Sequence, residues 1–249
     1  KQLRSIAKNI FVIDDLANRK HDCNLLLDQN FYCDAHSRYE GLVSGSTKQM
    51  LGPRYALLRK EFLTSRQSLK PKSNNIMRIF VFFGGTDPDN VTGRVLDALA
   101  APNLQHLQTD VVIGLNNPNR RSIEEKVAER KLTTLHVQVD NIAELMSAAD
   151  LALGAGGTAT WERLCLGLPS LIITTAENQQ GSIDDLHDEG LVIKLGSAPS
   201  IRVETIHQAI TKSIEYSDVA QHKAMRGMQL VTGGGAALVL RQLLNRNYC

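Results

Sequence analysis

The stretch that decides the fold is Leu151-Ala-Leu-Gly-Ala-Gly-Gly-Thr-Ala-Thr-Trp-Glu162, in which a short apolar run leads into a glycine cluster and then into a helical pattern. Strands that are buried on both faces of a parallel sheet have such apolar runs. The glycines favour a tight turn, and free backbone N–H groups are expected where the helix begins. This segment therefore predicts an α/β protein with a parallel sheet.

The same alternation of apolar strands and helical patterns extends on both sides of this segment. Six strands are predicted, the first at Ile79 to Phe83 and the last at Leu191 to Leu195, with helices between them. Such alternation forms a parallel sheet that helices cover on both faces. We therefore expect a Rossmann-like nucleotide domain at 76–217, followed by C-terminal helices at 218–249. The triplet Gly233-Gly234-Gly235 predicts a break or hinge before the last helix.

The first part of the chain has strands but few helices. Apolar runs at Ile10 to Ile13 and Leu25 to Leu27 predict buried strands, and a helix is predicted over 55–62. The polar stretch 65–75 favours a linker. Residues 1–70 are therefore predicted to be the closing part of a truncated second Rossmann-like domain, with the linker. Because the chain also lacks a starting methionine, we expect a fragment of a larger protein.

Composition limits the classes of function. The chain has 249 residues, of which 43% are hydrophobic and 22% charged, as in globular proteins. A formal charge of +2 does not indicate a basic surface for binding nucleic acid. No apolar run approaches the roughly 18 residues of a membrane span. The spacing of Cys23, Cys33, Cys165 and Cys249 fits neither a zinc site nor a redox pair. We expect a cytoplasmic monomer without a metal or cofactor, and without nucleic-acid or membrane partners.

Candidate ligand residues are those that follow the strands, because ligands bind at the carboxyl ends of the strands of an open parallel sheet. The backbone of Gly154, Gly156, Gly157 and Thr158 could hold a diphosphate where the helix begins. A tight turn capped by Thr158 explains the same residues without a ligand. Glu162, one turn into the helix, could accept two ribose hydroxyls or could be a solvated acid.

A second glycine-rich loop follows the first strand of the same predicted domain. Gly84 and Gly85 permit a close approach by a ligand or a facing domain, and Asp87 lies in the same loop. Asp89 or Asn90 is expected to cap the next helix. These residues are therefore candidates for lining a cleft.

Polar residues follow two other predicted strands. Asn178 and Gln179 could bind sugar hydroxyls or an acetamido group, although polar residues in a loop need no such role. Asp14 and Asp15 come directly after the first strand of the chain and are further cleft candidates.

Several motifs together resemble known families. Gly-Ala-Gly-Gly-x-x-x-x-Glu, with Gly167-Leu-Pro and Asn178-Gln-Gln, resembles the donor-nucleotide signature of GT-B enzymes related to the lipid II-forming N-acetylglucosaminyltransferase. Further segments are similar to the family of UDP-2,4-diacetamido-2,4,6-trideoxy-beta-L-altropyranose hydrolases of pseudaminic acid biosynthesis. These segments are Ile13-Asp-Asp-Leu-Ala-Asn-Arg19, His21-Asp-Cys23, Leu27-Asp-Gln-Asn30, Gly52-Pro-x-Tyr-Ala-Leu-Leu-Arg-x-Glu-Phe62 and Phe83-Gly-Gly-Thr-Asp87.

The resemblance implies a GT-B-like fold and a UDP-sugar hydrolase that releases UDP and the free sugar without a metal. It implies that the loop 156–158 holds the diphosphate, that Glu162 binds the ribose, and that Asn178 and Gln179 bind the sugar. The family's histidine lies in a Gly-x-Gly-His motif that is absent here. Neither His21 nor His36 matches that histidine, so no catalytic residue is assigned, and this chain alone is expected to bind UDP without turning over the UDP-sugar. A glycosyltransferase of the same fold and a non-catalytic nucleotide-sugar-binding fragment remain as alternatives.

Overall fold

The protein contains two parallel β-sheets in the computed structural model, which describes residues 2–70 and 75–244. Part of the predicted linker (71–74) and Cys249 lie outside these ranges. Within them, no helix is long and apolar enough to cross a membrane.

The smaller sheet has three strands, β1 (Phe11–Ile13), β2 (Leu25–Asp28) and β3 (Lys48–Leu51), in the order β1-β2-β3. Its central strand β2 is buried along its whole length. Leu26 packs on one side with Cys23 and Tyr39, while Leu25 and Leu27 pack on the other. Helix α1 (Lys60–Gln67) then leads to the larger sheet.

The larger sheet has six parallel strands in the order β6-β5-β4-β7-β8-β9. All six predicted strands are present. They are β4 (Arg78–Phe82), β5 (Gln108–Ile113), β6 (Thr133–Val137), β7 (Leu151–Gly154), β8 (Ser170–Thr174) and β9 (Ile193–Ser197). The helices that connect them or follow them are α2 (Val91–Leu99), α3 (Arg120–Ala128), α4 (Ile142–Ala148), α5 (Ala159–Cys165), α6 (Gln180–Asp188) and α7 (Val203–Glu215).

Helices cover both faces of the larger sheet because its strands are apolar on both sides. Ile79 and Val81 of β4 pack into a core formed with α2, α3 and α7. Phe80, which lies between them in sequence, packs into the opposite core with α1, α4, α5 and α6. This alternation of neighbouring residues between two cores follows from the two-residue period of a strand.

The strand order creates a switch point between β4 and β7. From β4 the chain moves outward to β6 and then crosses to β7, on the other side of β4. Phe82 at the end of β4 pairs with Gly154 at the end of β7. Ligands of doubly wound sheets bind where the order reverses in this way. The two glycine-rich loops both start at this point.

The last two helices pack on different parts of the molecule. Helix α8 (Ser217–Leu230) packs against α5, where Gly227 contacts Leu164. Helix α9 (Gly235–Leu244) begins inside the predicted glycine break and returns to the smaller sheet, where Val239 joins the core of Leu25 and Leu27. The positions of the domain boundaries stay a prediction.

The helix predicted at 55–62 is correct only for 60–62, because the helix begins later and runs to Gln67, into the predicted linker. Residues Pro53–Tyr55 form a 3-10 turn, an extended segment follows, and α1 begins only at Lys60. In the extended segment Ala56 and Leu58 are buried while Leu57 is exposed, and the Leu57 N–H donates to Gln29 Oε1 at 3.0 Å. Burial at alternate positions favours extended backbone over a helix.

Strand β3 was not predicted. It is four residues long, and only Met50 is buried in it. The glycines on either side of it favoured turns instead.

Candidate functional site

The loop between β7 and α5 (residues 155–158) presents unpaired backbone donors at the switch point. Within the described ranges, the N–H groups of Gly156, Gly157 and Thr158 donate to no acceptor. Thr158 occupies the N-cap position, but its side chain makes no capping hydrogen bond. The capping explanation therefore does not account for this residue, and the loop can accept an anion on its backbone.

The glycines of this loop differ in what surrounds them. A Cβ atom added at Gly154 would meet the Arg163 guanidinium and would lie 2.8 Å from the carbonyl oxygen of Phe82. One added at Gly156 would lie 2.7 Å from Ile183 Cγ1. At Gly157 the nearest atom would be 3.6 Å away. Internal packing thus requires glycine at the first two positions, whereas a Cβ atom at Gly157 would make only an ordinary van der Waals contact with Gln179 Nε2.

Glu162 lies one turn into α5 and is largely buried, with 16% of its side chain exposed. Burial raises the pKa of its carboxyl group, while Arg59 and Arg163 oppose this shift. Arg59 Nη2 lies 3.9 Å from Glu162 Oε1 and 2.7 Å from Glu61 Oε1. Glu162 is therefore not an ordinary solvated helix acid.

Gln179 and Asn178 occupy different positions. The Gln179 side chain packs beside Gly156 and Gly157, and its Oε1 accepts the Thr175 N–H at 2.9 Å. Asn178 is exposed and lines a cleft between the two sheets. The structure thus brings Gln179, and not Asn178, next to the expected diphosphate position.

The cleft has a volume of about 580 Å³ and is lined from both sides. The smaller-sheet side contributes loops that follow β1 and β2, and the larger-sheet side contributes the loop after β8 and the start of α6. The lining residues include Asp15, Tyr32, Arg38, Glu177, Asn178 and Gly181.

Tyr32 and Arg38 are cleft residues that the sequence analysis missed. The Arg38 guanidinium lies 3.4 Å from the centre of the Tyr32 ring, and its Nη2 donates to the Asp15 carbonyl oxygen at 3.2 Å. Both follow β2 in the chain. The rule that ligands bind after strands could therefore have identified this segment.

Asp87 is buried and serves as a helix cap. Its carboxylate accepts the N–H groups of Val91 at 3.0 Å and Thr92 at 2.8 Å. Asn90 also caps α2, because its Oδ1 accepts the Gly93 N–H at 3.2 Å. The Asp87 side chain, expected as a cleft candidate, is thus occupied by the start of α2.

Gly84 and Gly85 lie at the end of β4. Gly84 has φ +90°, a backbone conformation that favours glycine. The carbonyl oxygen of Gly85 accepts the N–H of Gly114, so this loop is held against the end of β5.

Asp14 is also occupied internally, unlike its neighbour Asp15. Asp14 Oδ2 accepts the Ala17 N–H at 2.9 Å and the Tyr39 hydroxyl at 3.1 Å. His21 Nε2 lies 3.5 Å from Asp14 Oδ1, and His36 is exposed. The structure gives neither histidine a position in the lining of the cleft described above.

Comparison with protein families identifies the larger unit. Residues 78–232 match the family described as glycosyltransferase family 28 C-terminal domain. This range contains both glycine-rich loops, Glu162 and Asn178.

Two curated relatives match a longer part of the chain. The spore coat polysaccharide biosynthesis protein SpsG of Bacillus subtilis is 28% identical over 207 residues, which are 82% of this chain and 60% of that protein. The UDP-2,4-diacetamido-2,4,6-trideoxy-beta-L-altropyranose hydrolase of Campylobacter jejuni is 26% identical over 176 residues, which are 71% of this chain and 61% of that protein. The chain thus spans about three fifths of the length of each.

Solved structures confirm the fold. MurG of Acinetobacter baumannii has a TM-score of 0.62 at 14% identity, over 96% of this chain and 68% of that one. WaaG, a glycosyltransferase involved in lipopolysaccharide biosynthesis, has a TM-score of 0.55 at 13% identity, over 98% of this chain and 80% of that one. The expected α/β architecture of GT-B type is confirmed.

Proposed function

Because the chain belongs to the glycosyltransferase family 28 C-terminal domain family, we propose that it binds a UDP-sugar with the UDP part at the loop 155–158. The observation that carries this proposal is the set of three unpaired N–H groups at the switch point of the sheet. Backbone donors at such a point bind the phosphates of nucleotides in doubly wound folds.

Glu162 is proposed to bind the ribose. It lies one turn from the loop, and its carboxylate can accept two hydroxyl groups. The partial burial of Glu162 strengthens such hydrogen bonds, because fewer water molecules compete for the carboxylate.

The sugar is proposed to occupy the cleft between the sheets. Asn178 reaches this cleft from the larger-sheet side and Asp15 from the other side. Gln179 packs beside Gly156 and Gly157 and precedes α6 directly after Asn178, so we propose that it binds where the diphosphate joins the sugar. Amide groups can bind both hydroxyl and acetamido groups.

The proposed reaction is hydrolysis. A water molecule is consumed, the bond between the anomeric carbon and the diphosphate breaks, and UDP and the free sugar leave. The diacetamido-trideoxy sugar named for the Campylobacter jejuni relative supports this choice of substrate. The group that activates the water is not assigned.

A glycosyltransferase is the second candidate, and the name of the matching family favours it. Incubating the protein with UDP-2,4-diacetamido-2,4,6-trideoxy-beta-L-altropyranose alone separates the two. Hydrolysis releases UDP and the free sugar in equal amounts without an acceptor. UDP release that needs an added acceptor supports a transferase. Tight binding without release in either case supports a nucleotide-sugar-binding fragment that is not catalytic by itself.

A further inference from the structure

Arg163 is a buried cation directly beneath the proposed diphosphate loop. Its side chain, on α5, is fully buried. Its Nη2 donates to the carbonyl oxygen of Ala155 at 2.8 Å and to Thr160 Oγ1 at 3.1 Å. Nε and Nη1 have no hydrogen-bond partner, and no ion pair of Arg163 is found among the described residues. The guanidinium thus contacts the loop while part of its hydrogen-bonding capacity is unused.

Arg130 shows what a purely structural buried arginine looks like in the same protein. It is also buried, and it likewise has no ion pair among the described residues. All three of its side-chain nitrogens donate hydrogen bonds, and the acceptors are Leu99, Leu104, Leu107, Thr109 and Thr133. Arg130 holds its surrounding segments with all three side-chain nitrogens, whereas Arg163 leaves Nε and Nη1 without a partner. A purely structural role therefore does not explain Arg163.

The Ala155 contact determines the direction of the next N–H group. The Ala155 carbonyl and the Gly156 N–H belong to one trans peptide unit, in which the two bonds point to opposite sides. Because Arg163 binds the carbonyl oxygen, the Gly156 N–H points away from the guanidinium. This N–H has no acceptor within the described part of the chain.

Among the described residues Arg163 forms no ion pair within 4.0 Å, although Glu162 is near enough to act on its charge. Burial lowers its pKa to about 10, with the nearby Glu162 opposing the shift, so the group is cationic at neutral pH. In a site with little water, such a charge acts on an anion more strongly than it would in bulk solvent. A dianionic diphosphate on the loop would compensate it.

We infer that Arg163 is a positioning residue for diphosphate recognition, which orients the Gly156 N–H through Ala155 and supplies positive charge beneath the loop. This inference rests on the proposed function. Arg163 would act on the diphosphate without touching it. Gly154 is then glycine because a side chain there would displace the guanidinium.

The test compares UDP with uridine, which lacks the phosphates. We expect Arg163→Met to lower the affinity for UDP at least about tenfold, a change of 1.4 kcal/mol, and to leave the uridine affinity unchanged. Titration calorimetry measures both. Arg163→Lys keeps the charge, so we expect a smaller loss of UDP affinity. The matched control is Arg130→Met, which removes a buried arginine elsewhere and should leave the UDP-to-uridine affinity ratio unchanged.

Thr160→Val keeps the inference testable if Arg163→Met does not fold. It removes one of the two acceptors of Arg163 Nη2 with little change of volume, and we expect the UDP-to-uridine ratio to fall severalfold. An unchanged ratio in a folded Arg163 or Thr160 variant overturns the role of Arg163 and leaves the proposed function intact. Absence of UDP binding by the wild-type protein overturns both.

Discussion

Glu162 is largely buried and lies one turn into α5, after the loop whose N–H groups are unpaired. Its raised pKa means that it takes up a proton at a higher pH than an exposed glutamate does. A protonated carboxyl group is a weaker acceptor for ribose hydroxyls than a carboxylate. The proposed ribose contact should therefore weaken as the pH falls.

We expect Glu162→Gln to weaken UDP binding by about 1.5 to 3 kcal/mol, since hydrogen bonds to charged groups have this magnitude. The same substitution should weaken binding of a 2′,3′-dideoxy analogue of UDP much less, because the analogue lacks the two ribose hydroxyls. The advantage of UDP over the analogue should shrink as the pH falls in the wild-type protein and stay constant in the variant. Titration calorimetry at several pH values measures this difference, and the phosphates, which titrate near about pH 6, affect both ligands equally. Equal weakening of UDP and the analogue would show that Glu162 is structural.

Asp28 is a buried carboxyl group that shares the Tyr39 hydroxyl with Asp14. Its Oδ2 lies 3.2 Å from the Tyr39 hydroxyl, which also contacts Asp14 Oδ2 at 3.1 Å. One hydroxyl proton can serve only one of these carboxyl groups, so a protonated Asp28 can donate to Tyr39 while Tyr39 donates to Asp14. Burial raises the pKa of Asp28 above its ordinary value of 3.8, although Asn30, Arg38 and Tyr39 oppose the shift.

Because the pKa of Asp28 is raised in the folded protein, we expect the free energy of unfolding to fall as the pH rises from 3.8 to the raised pKa. In that window the folded state binds more protons than the unfolded chain, so the free energy of unfolding falls with increasing pH. Asp28→Asn should remove this contribution, because an amide does not titrate. Urea unfolding of both proteins across the window measures it. Parallel stability profiles would contradict the assignment.

At the scale of elements, the β7–α5 turn offers a matched pair of glycines. We expect Gly154→Ala to destabilise the protein by about 1–3 kcal/mol, because the new methyl group overpacks a site bounded by Arg163 and the Phe82 backbone. Gly157→Ala should change stability by less than about 0.5 kcal/mol and yet lower UDP affinity about tenfold, because the methyl group stands at the proposed diphosphate position. Thermal unfolding and calorimetry measure the two effects. Unchanged UDP affinity in Gly157→Ala would place the diphosphate elsewhere.

The larger sheet could be predicted because its elements carry strong local signals. Strands such as β8 are continuous apolar runs with helical patterns on either side, and the glycine loops follow directly from the rule for parallel sheets. The segment between β3 and α1 could not be predicted as easily. There the contact of Leu57 with Gln29, a distant residue, favours extended backbone over the local helical pattern.

The site was only partly predictable for a similar reason. The glycine loop and Glu162 lie close together in sequence, so spacing located them. Asp87 is a cleft candidate from sequence because it lies in the glycine-rich loop after β4, and only the structure shows that its carboxylate accepts two N–H groups of α2. The burial of Arg163 could not be predicted from the sequence, because an arginine on a helix is usually exposed.

At the scale of the whole molecule, the first part of the chain meets the larger sheet through a shared apolar core, which includes Leu58 and Phe62, and through polar contacts. The Cys33 N–H donates to Asp185 Oδ2 at 2.9 Å, and Arg59 lies 3.9 Å from Glu162. The last helix, α9, returns to the smaller sheet. These contacts place the loops after β1, β2 and β8 around one cleft, while the diphosphate loop belongs to the larger sheet alone. Binding of UDP and binding of the sugar should therefore respond differently to changes at the contact between the sheets.

A substitution at Gly181 tests whether UDP binding and sugar binding can be separated. Gly181 belongs to the larger-sheet unit and lies close to Tyr32 in the lining of the cleft. A Cβ atom added at Gly181 would lie 3.3 Å from Tyr32 Cε1, so the branched side chain of Gly181→Val would push Tyr32 away and widen the cleft. We expect the affinity for the UDP-sugar to fall about tenfold, while UDP binds as tightly as before. Gly45→Val is the matched control, since Gly45 is exposed and an added Cβ atom there meets nothing within 4 Å. Calorimetric titration of both ligands against both variants measures the effect. If Gly181→Val weakens UDP and the UDP-sugar to the same degree, the sugar does not use the wall that the smaller sheet provides.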